Sequence, residues 1–195
     1  LEMRKSKLEK IGVLLMAYGS PQTLDKVEEF LTNVKGEKPS KEIIQEVKER
    51  YRKIGGTSPF LAISQEQAKS LEKKLNGGGE KFKVYLAMRH WYPTIEEIIS
   101  QMVKDGVKKA VGLVLTPHYS KLSVGGYFQI LAAAKKKDGA KISFLLIKSW
   151  YQNLKFLKTW AKIIEKSLAD LPKNKKQQAV IFTAHSLHKE ILTWG

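Results

Sequence analysis

Ile11-Gly12-Val13-Leu14-Leu15-Met16-Ala17-Tyr18 runs directly into Gly19-Ser20-Pro21. The run is apolar almost throughout and does not alternate between apolar and polar residues. It reads as a strand buried on both faces, ended by a turn. Strands of that kind belong to parallel sheets covered by helices on both sides, so the stretch predicts an α/β fold.

The chain that follows has the required alternation of strand and helix. A helix from about Leu24 carries Val27, Phe30, Leu31 and Val34 at helical spacing and stops at Gly36. Pro39-Ser40 opens a second helix whose stripe is Ile43, Ile44, Val47, Tyr51 and Ile54, closed by Gly55-Gly56. This early pair of helices is unusual, since a minimal doubly wound protein goes from one helix straight to its next strand, and the inserted hairpin suggests a lid or wall over a site. Ser58 then reads as an N-cap with Pro59 at the first helical position of a helix reaching Asn76.

Phe82 to Met88 is the second strand, ending in Arg89-His90-Trp91-Tyr92-Pro93. Thr94 and Glu97 form a capping box for a helix bearing Ile95, Ile98, Ile99, Met102 and Val103. Ala110 to Leu115 is the third strand, followed by a helix over roughly Tyr127 to Lys135, and Ile142 to Ile147 is the fourth. A helix with Phe156, Leu157, Trp160, Ile163, Ile164 and Leu168 leads to a last apolar run, Ala179 to Ala184. That run is expected to be a buried strand delivering His185 and Ser186 to its edge. The architecture is a doubly wound, mostly parallel α/β sheet.

Composition narrows the function classes. Of 195 residues 43% are apolar and 28% charged, which fits a globular protein with its own core. The longest apolar runs are too short to span a bilayer and the amino terminus has no signal-peptide core, so a cytoplasmic location is expected. With no cysteine, disulfides, cysteine-based zinc sites and cysteine nucleophiles are excluded. The net charge of +16 invites an anionic partner. Its lysines are scattered over helix faces and short clusters without a nucleic-acid-binding signature, so no specific nucleic acid is expected.

Four histidines occur, and His90, His118 and His185 each lie just after the end of a different expected strand. Parallel strands bring their carboxyl ends to one rim, where open α/β sheets bind ligands. These imidazoles could share a cleft with Tyr18, Trp91, Tyr119 and Trp150. A histidine at a strand end equally serves as a cap on the next turn, and His118 beside Pro117 equally bonds loop backbone. The dinucleotide fingerprint, the P-loop, the nucleophile elbow and the HEXXH motif are all missing.

The motifs in order carry a resemblance. Leu14-Leu15-Met16-Ala17-Tyr18-Gly19-Ser20-Pro21, Arg50-Tyr51 through Gly55-Gly56-Thr57-Ser58-Pro59, Met88-Arg89-His90-Trp91, Pro117-His118-Tyr119-Ser120 and Ala184-His185-Ser186-Leu187 resemble the ferrochelatase family from about Ile11 to Glu190. The resemblance implies two similar α/β lobes with a porphyrin bound in the cleft between them. Residues 1–140 would be the first lobe with its helical hairpin, and 141–195 the incomplete start of a second.

It also implies a lyase that inserts ferrous iron, as substrate, into coproporphyrin or protoporphyrin, with no permanently bound cofactor. Tyr18 in its Ala-Tyr-Gly context resembles bacterial enzymes acting on coproporphyrin. By the same resemblance His185 is the catalytic histidine, as base or metal ligand. Tyr18 approaches the opposite metal face, Ser58, Arg89, His90, Ser123 and Tyr127 line the porphyrin cleft, and Val34 and Lys35 stand in the early-helix wall. Arg89 and Lys35 are candidates to pair with propionates.

Two departures accompany the resemblance. His188 stands where the family has proline, and the family's second lobe continues well beyond this point, including an acidic residue facing the histidine. Implied partners are therefore the porphyrin, a homodimer mate or a missing carboxy-terminal portion, and a peripheral membrane contact. A non-catalytic tetrapyrrole-binding module is the alternative function, and charge-driven nucleic-acid binding the third.

Overall fold

The computed structural model describes residues 10–171 and 178–184. The chain divides into two compact units, one reaching Leu115 and resuming over Gly126–Ile147, the other comprising Thr116–Gly125 and the chain from Lys148.

The first unit is built on four parallel strands, β1 (Ile11–Ala17), β2 (Phe82–Met88), β3 (Lys109–Val114) and β4 (Ser143–Ile147), in the spatial order β2-β1-β3-β4. The central position of β1 explains its sequence. Covered on both faces and paired on both edges, it buries the neighbours Leu14 and Leu15, which point to opposite faces. The chain passes from β1 to β2 on one side and returns to β3 on the other. The strand order therefore reverses beside β1, and ligand crevices form at the carboxyl end of such a reversal.

Helices α1 (Val27–Lys35), α2 (Lys41–Arg52) and α3 (Phe60–Leu75) separate β1 from β2, so the inserted helical pair is present as expected. Helix α1 ends at Gly36, whose φ of 77° is a left-handed closure that a side chain would resist. Ser40 Oγ accepts from Ile43 N at 3.4 Å and caps α2. Ser58 Oγ accepts from Phe60 N at 3.2 Å, with the α3 helix starting one residue later than expected. The capping box of α4 (Ile95–Lys104) is complete: Thr94 Oγ1 accepts from Glu97 N, and Glu97 Oε2 from Thr94 N.

The outer edge of β2 is closed by side chains and a loop. Asn76 Oδ1 accepts from Phe82 N at 2.9 Å, Glu72 Oε2 accepts from Val84 N at 2.6 Å, and Met88 N donates to Pro93 O at 2.7 Å. These bonds satisfy amides that an edge strand otherwise offers to other chains. The last of them also ties down the loop after β2, which supplies much of the rim.

Two expectations are corrected. Ser143–Ile147, expected to open the second lobe, pairs in parallel with β3 and completes the first sheet; the unit boundary lies after Ile147 instead of near residue 140. Residues 179–184, expected to form a buried strand, form no strand and are exposed, Ile181 and Phe182 at 84%. The reason is that β-forming residues need a ladder partner, and the described residues of the second unit contain no strand to provide one. Helix α6 (Leu154–Ala169), capped by Asn153, buries none of its residues. Among the described residues no helix is long and apolar enough to cross a membrane.

Candidate functional site

Past the ends of β1 and β2 the parallel pairing continues into the rim. Arg89 N donates to Ala17 O at 2.8 Å and His90 N to Tyr18 O at 3.0 Å. This register sets the Tyr18 and His90 rings against each other, with centroids 4.7 Å apart. Tyr18 remains 43% exposed, so its ring presents a face to solvent.

Beneath the rim Ala17, Phe30, Met88 and Trp91 form a buried cluster, with Val34 of α1 packed against it. Phe30 meets Trp91 edge to face at 5.9 Å and Tyr18 at 6.3 Å. Helix α1 is thus held to the rim by its aromatic residue. The turn after β1 must be tight enough to pass over Trp91, and Gly19 makes it with φ of 98°. A Cβ there would lie 2.7 Å from Trp91 Cβ and 3.1 Å from Trp91 N.

His90 is clasped to the end of α1. Its Nδ1 lies 3.1 Å from Asn33 O, while Asn33 Nδ2 donates to His90 O at 3.5 Å. A carbonyl oxygen accepts only, so Nδ1 holds the proton and the Nε2 lone pair is left as the acceptor of the neutral ring. Burial lowers the His90 pKa below the ordinary histidine value, against the opposing effect of the Asn33 carbonyl. His90 is therefore a neutral imidazole of fixed tautomer near pH 7.

The sign of the pH dependence follows. Below about pH 6.5 the unfolded chain protonates this histidine before the folded one does, so stability falls as pH drops through the folded pKa. In a His90→Asn variant the loss of stability between pH 7 and pH 5, measured by urea denaturation, is expected to be smaller than in the parent.

Asn33, Arg89, His90, Trp91, Tyr92 and Thr94 line a cleft of about 260 Å³. Arg89 extends from it to helix α5 (Val124–Lys137), where its guanidinium carbon lies 5.2 Å from the centre of the Tyr127 ring. Tyr127 is 3% exposed, and burial pushes its pKa up to about 12, so it stays a neutral phenol under the cation. Lys35 is exposed at the carboxyl end of α1, and Ser58 is half-buried before α3.

Of the residues singled out in the sequence, Tyr18, Val34, Lys35, Ser58, Arg89, His90 and Tyr127 belong to the first unit. Ser123 and His118 belong to the second, where Ser123 N donates to Ser120 Oγ at 3.0 Å and His118 stacks on Tyr151 at 4.8 Å. His185 lies outside the described residues. Among those described, no three His, Cys, Asp or Glu side chains group as metal ligands. Asn33 and Gly126 were not anticipated. Nothing in the sequence marks Asn33, whereas the glycine pair opening a predicted helix is a signal that could have pointed to Gly126.

Fold and site together define an open α/β protein with an aromatic and cationic cleft at the carboxyl edge of its parallel sheet. The sequence model for Ferrochelatase matches residues 10–195, and the chain belongs to the ferrochelatase family. It is 40% identical over 191 residues to the coproporphyrin III ferrochelatase of Oceanobacillus iheyensis, covering 96% of this chain and 61% of that protein. With the coproporphyrin III ferrochelatase of Geobacillus kaustophilus it shares 42% over 188 residues, covering 94% and 59%. With the ferrochelatase of Herpetosiphon aurantiacus it shares 36% over 189 residues, covering 95% and 62%. The chain thus spans about three-fifths of the length of these relatives.

Proposed function

We propose that this chain binds the edge of coproporphyrin III and takes part in inserting ferrous iron into it. The observation that carries the reading is the convergence of Tyr18, His90 and Arg89 on one rim. It combines an exposed aromatic face, a neutral imidazole and a guanidinium within reach of a flat, acidic macrocycle. A cleft of about 260 Å³ suits an acidic side arm of the ring rather than the macrocycle itself. Coproporphyrin carries four such arms, which gives the strongly cationic chain a specific anion to meet, and two of the three relatives above are named for it.

The chemistry asks for these groups. Metallation exchanges two pyrrole N–H protons for one ferrous ion, so the ring must be bent and its protons accepted. Aromatic side chains held by a packed core can press on the ring, and binding energy spent on that distortion lowers the barrier. A neutral histidine can take a proton or hold iron. The family resemblance gives that role to His185; His90 supplies a second neutral imidazole, whose Nε2 is open to a ring substituent or a proton. The reading includes completion of the second unit by a carboxy-terminal portion or a second copy, since α6 buries none of its residues.

The test is anaerobic incubation with ferrous iron and coproporphyrin III, followed by absorption spectroscopy. Formation of the metalloporphyrin is expected, and His185→Ala should remove it while leaving the Soret shift of bound porphyrin. A Soret shift without metallation by the parent chain would favour a tetrapyrrole-binding module. No shift at all would overturn both.

A further inference from the structure

We propose that Gly126 is a positioning residue for Arg89: by lacking a Cβ it seats the guanidinium flat against the first turn of α5 and aims it at a carboxylate. The aim at a carboxylate rests on the function proposed above; the seating does not. A Cβ built at Gly126 would lie 2.6 Å from Arg89 Nη2 and 2.8 Å from both Cζ and Nη1. Three atoms of one plane at nearly equal distance mean that the guanidinium turns its face to the point where a Gly126 Cβ would stand. Tyr127, the next residue, offers its buried ring to the same cation.

Backbone conformation does not account for this glycine. Gly126 is helical and is not among the glycines with positive φ. Glycine is also the poorest helix former after proline, so its place inside a helix runs against local preference. Its neighbour Gly125 is different, because a Cβ there meets nothing closer than 3.4 Å. Space for Arg89 is the feature that separates the two. An arginine so placed has lost much of its rotamer freedom before any ligand arrives, so forked pairing with a carboxylate costs less on binding.

Since the guanidinium is the far end of a flexible side chain, a methyl group at residue 126 displaces it without breaking the helix. Gly126→Ala should therefore keep or raise the melting temperature while weakening coproporphyrin III binding by about tenfold, the loss of one charge-assisted contact. Binding of the tetramethyl ester should be unchanged. In an Arg89→Ala background, Gly126→Ala should have no further effect on coproporphyrin binding, and Gly125→Ala should leave binding alone in either background.

A second readout needs no porphyrin. The Arg89 Nε–H resonance, shifted by the Tyr127 ring in the parent, should move toward the value of a free arginine in Gly126→Ala. If that resonance stays put, or if the two substitutions weaken binding additively, the proposal fails. If the parent binds no porphyrin while the resonance moves as expected, the seating of Arg89 stands and the porphyrin reading fails.

Discussion

Trp91→Ala is expected to destabilise the first unit by about 3–5 kcal/mol, the range for emptying a large aromatic site in a core. Trp91 is 3% exposed and touches Phe30 and Tyr92 edge to face, so its removal opens a cavity beneath the rim and frees α1 from the sheet. The consequence reaches the site because α1 carries Asn33, whose carbonyl fixes the His90 tautomer. Release of α1 also exposes the His90 ring, and since burial is the larger influence its loss should outweigh the lost Asn33 bond and raise the His90 pKa toward the ordinary histidine value, readable by NMR titration. Trp91→Phe should cost far less. The indole Nε1 is buried and meets no protein acceptor among the described residues, so exchanging indole for phenyl removes an unpaired donor along with some volume. Urea denaturation followed by circular dichroism separates the two variants; equal losses would show that the rim does not depend on this ring.

Gly19→Ala is expected to cost about 3 kcal/mol by the opposite route, overpacking. Two terms add: a positive φ that an L side chain adopts only at about 1–3 kcal/mol, and a contact of 2.7 Å with Trp91 Cβ. Neighbouring Trp91 N, at 3.1 Å, is backbone and cannot swing away. This makes a specific prediction for the double variant. Alanine at 91 keeps the very Cβ that clashes, so Trp91→Ala does not relieve Gly19→Ala and the two losses should be close to additive. Relief in the double variant would place the clash at the indole ring instead. Because Gly19 follows Tyr18, whose carbonyl accepts from His90 N, its displacement should weaken coproporphyrin binding as well as stability.

Much of the fold is legible in the sequence because its signals are local. The unbroken apolar run of β1, the helical spacing of Val27, Phe30 and Val34, and the Thr94–Glu97 capping box each involve residues within a turn or two of one another. Their physical causes, side-chain periodicity and orphan amides at helix ends, act before any tertiary contact is made. Part of the rim was legible for a related reason: residues after parallel strands share one edge, so Tyr18, His90 and Trp91 could be placed together from the order of elements, while Arg89 was pointed to by the family resemblance.

Sequence by itself could not determine the pairings that turn the rim into a site. Asn33 and His90 are 57 residues apart, and the proton on Nδ1 follows from a backbone carbonyl that every residue possesses. Gly126 reads as a poor helix former until Arg89 is seen lying on it. The fourth strand and residues 179–184 show the same limit from the other side, since both are apolar runs of strand-forming residues. One found β3 and completed a sheet; the other, with no strand beside it among the described residues, formed none. Strand propensity is a statement about fitting a pleated, half-buried surface. Tertiary structure decided which run had that surface to join, which imidazole nitrogen keeps its lone pair, and where the guanidinium lies.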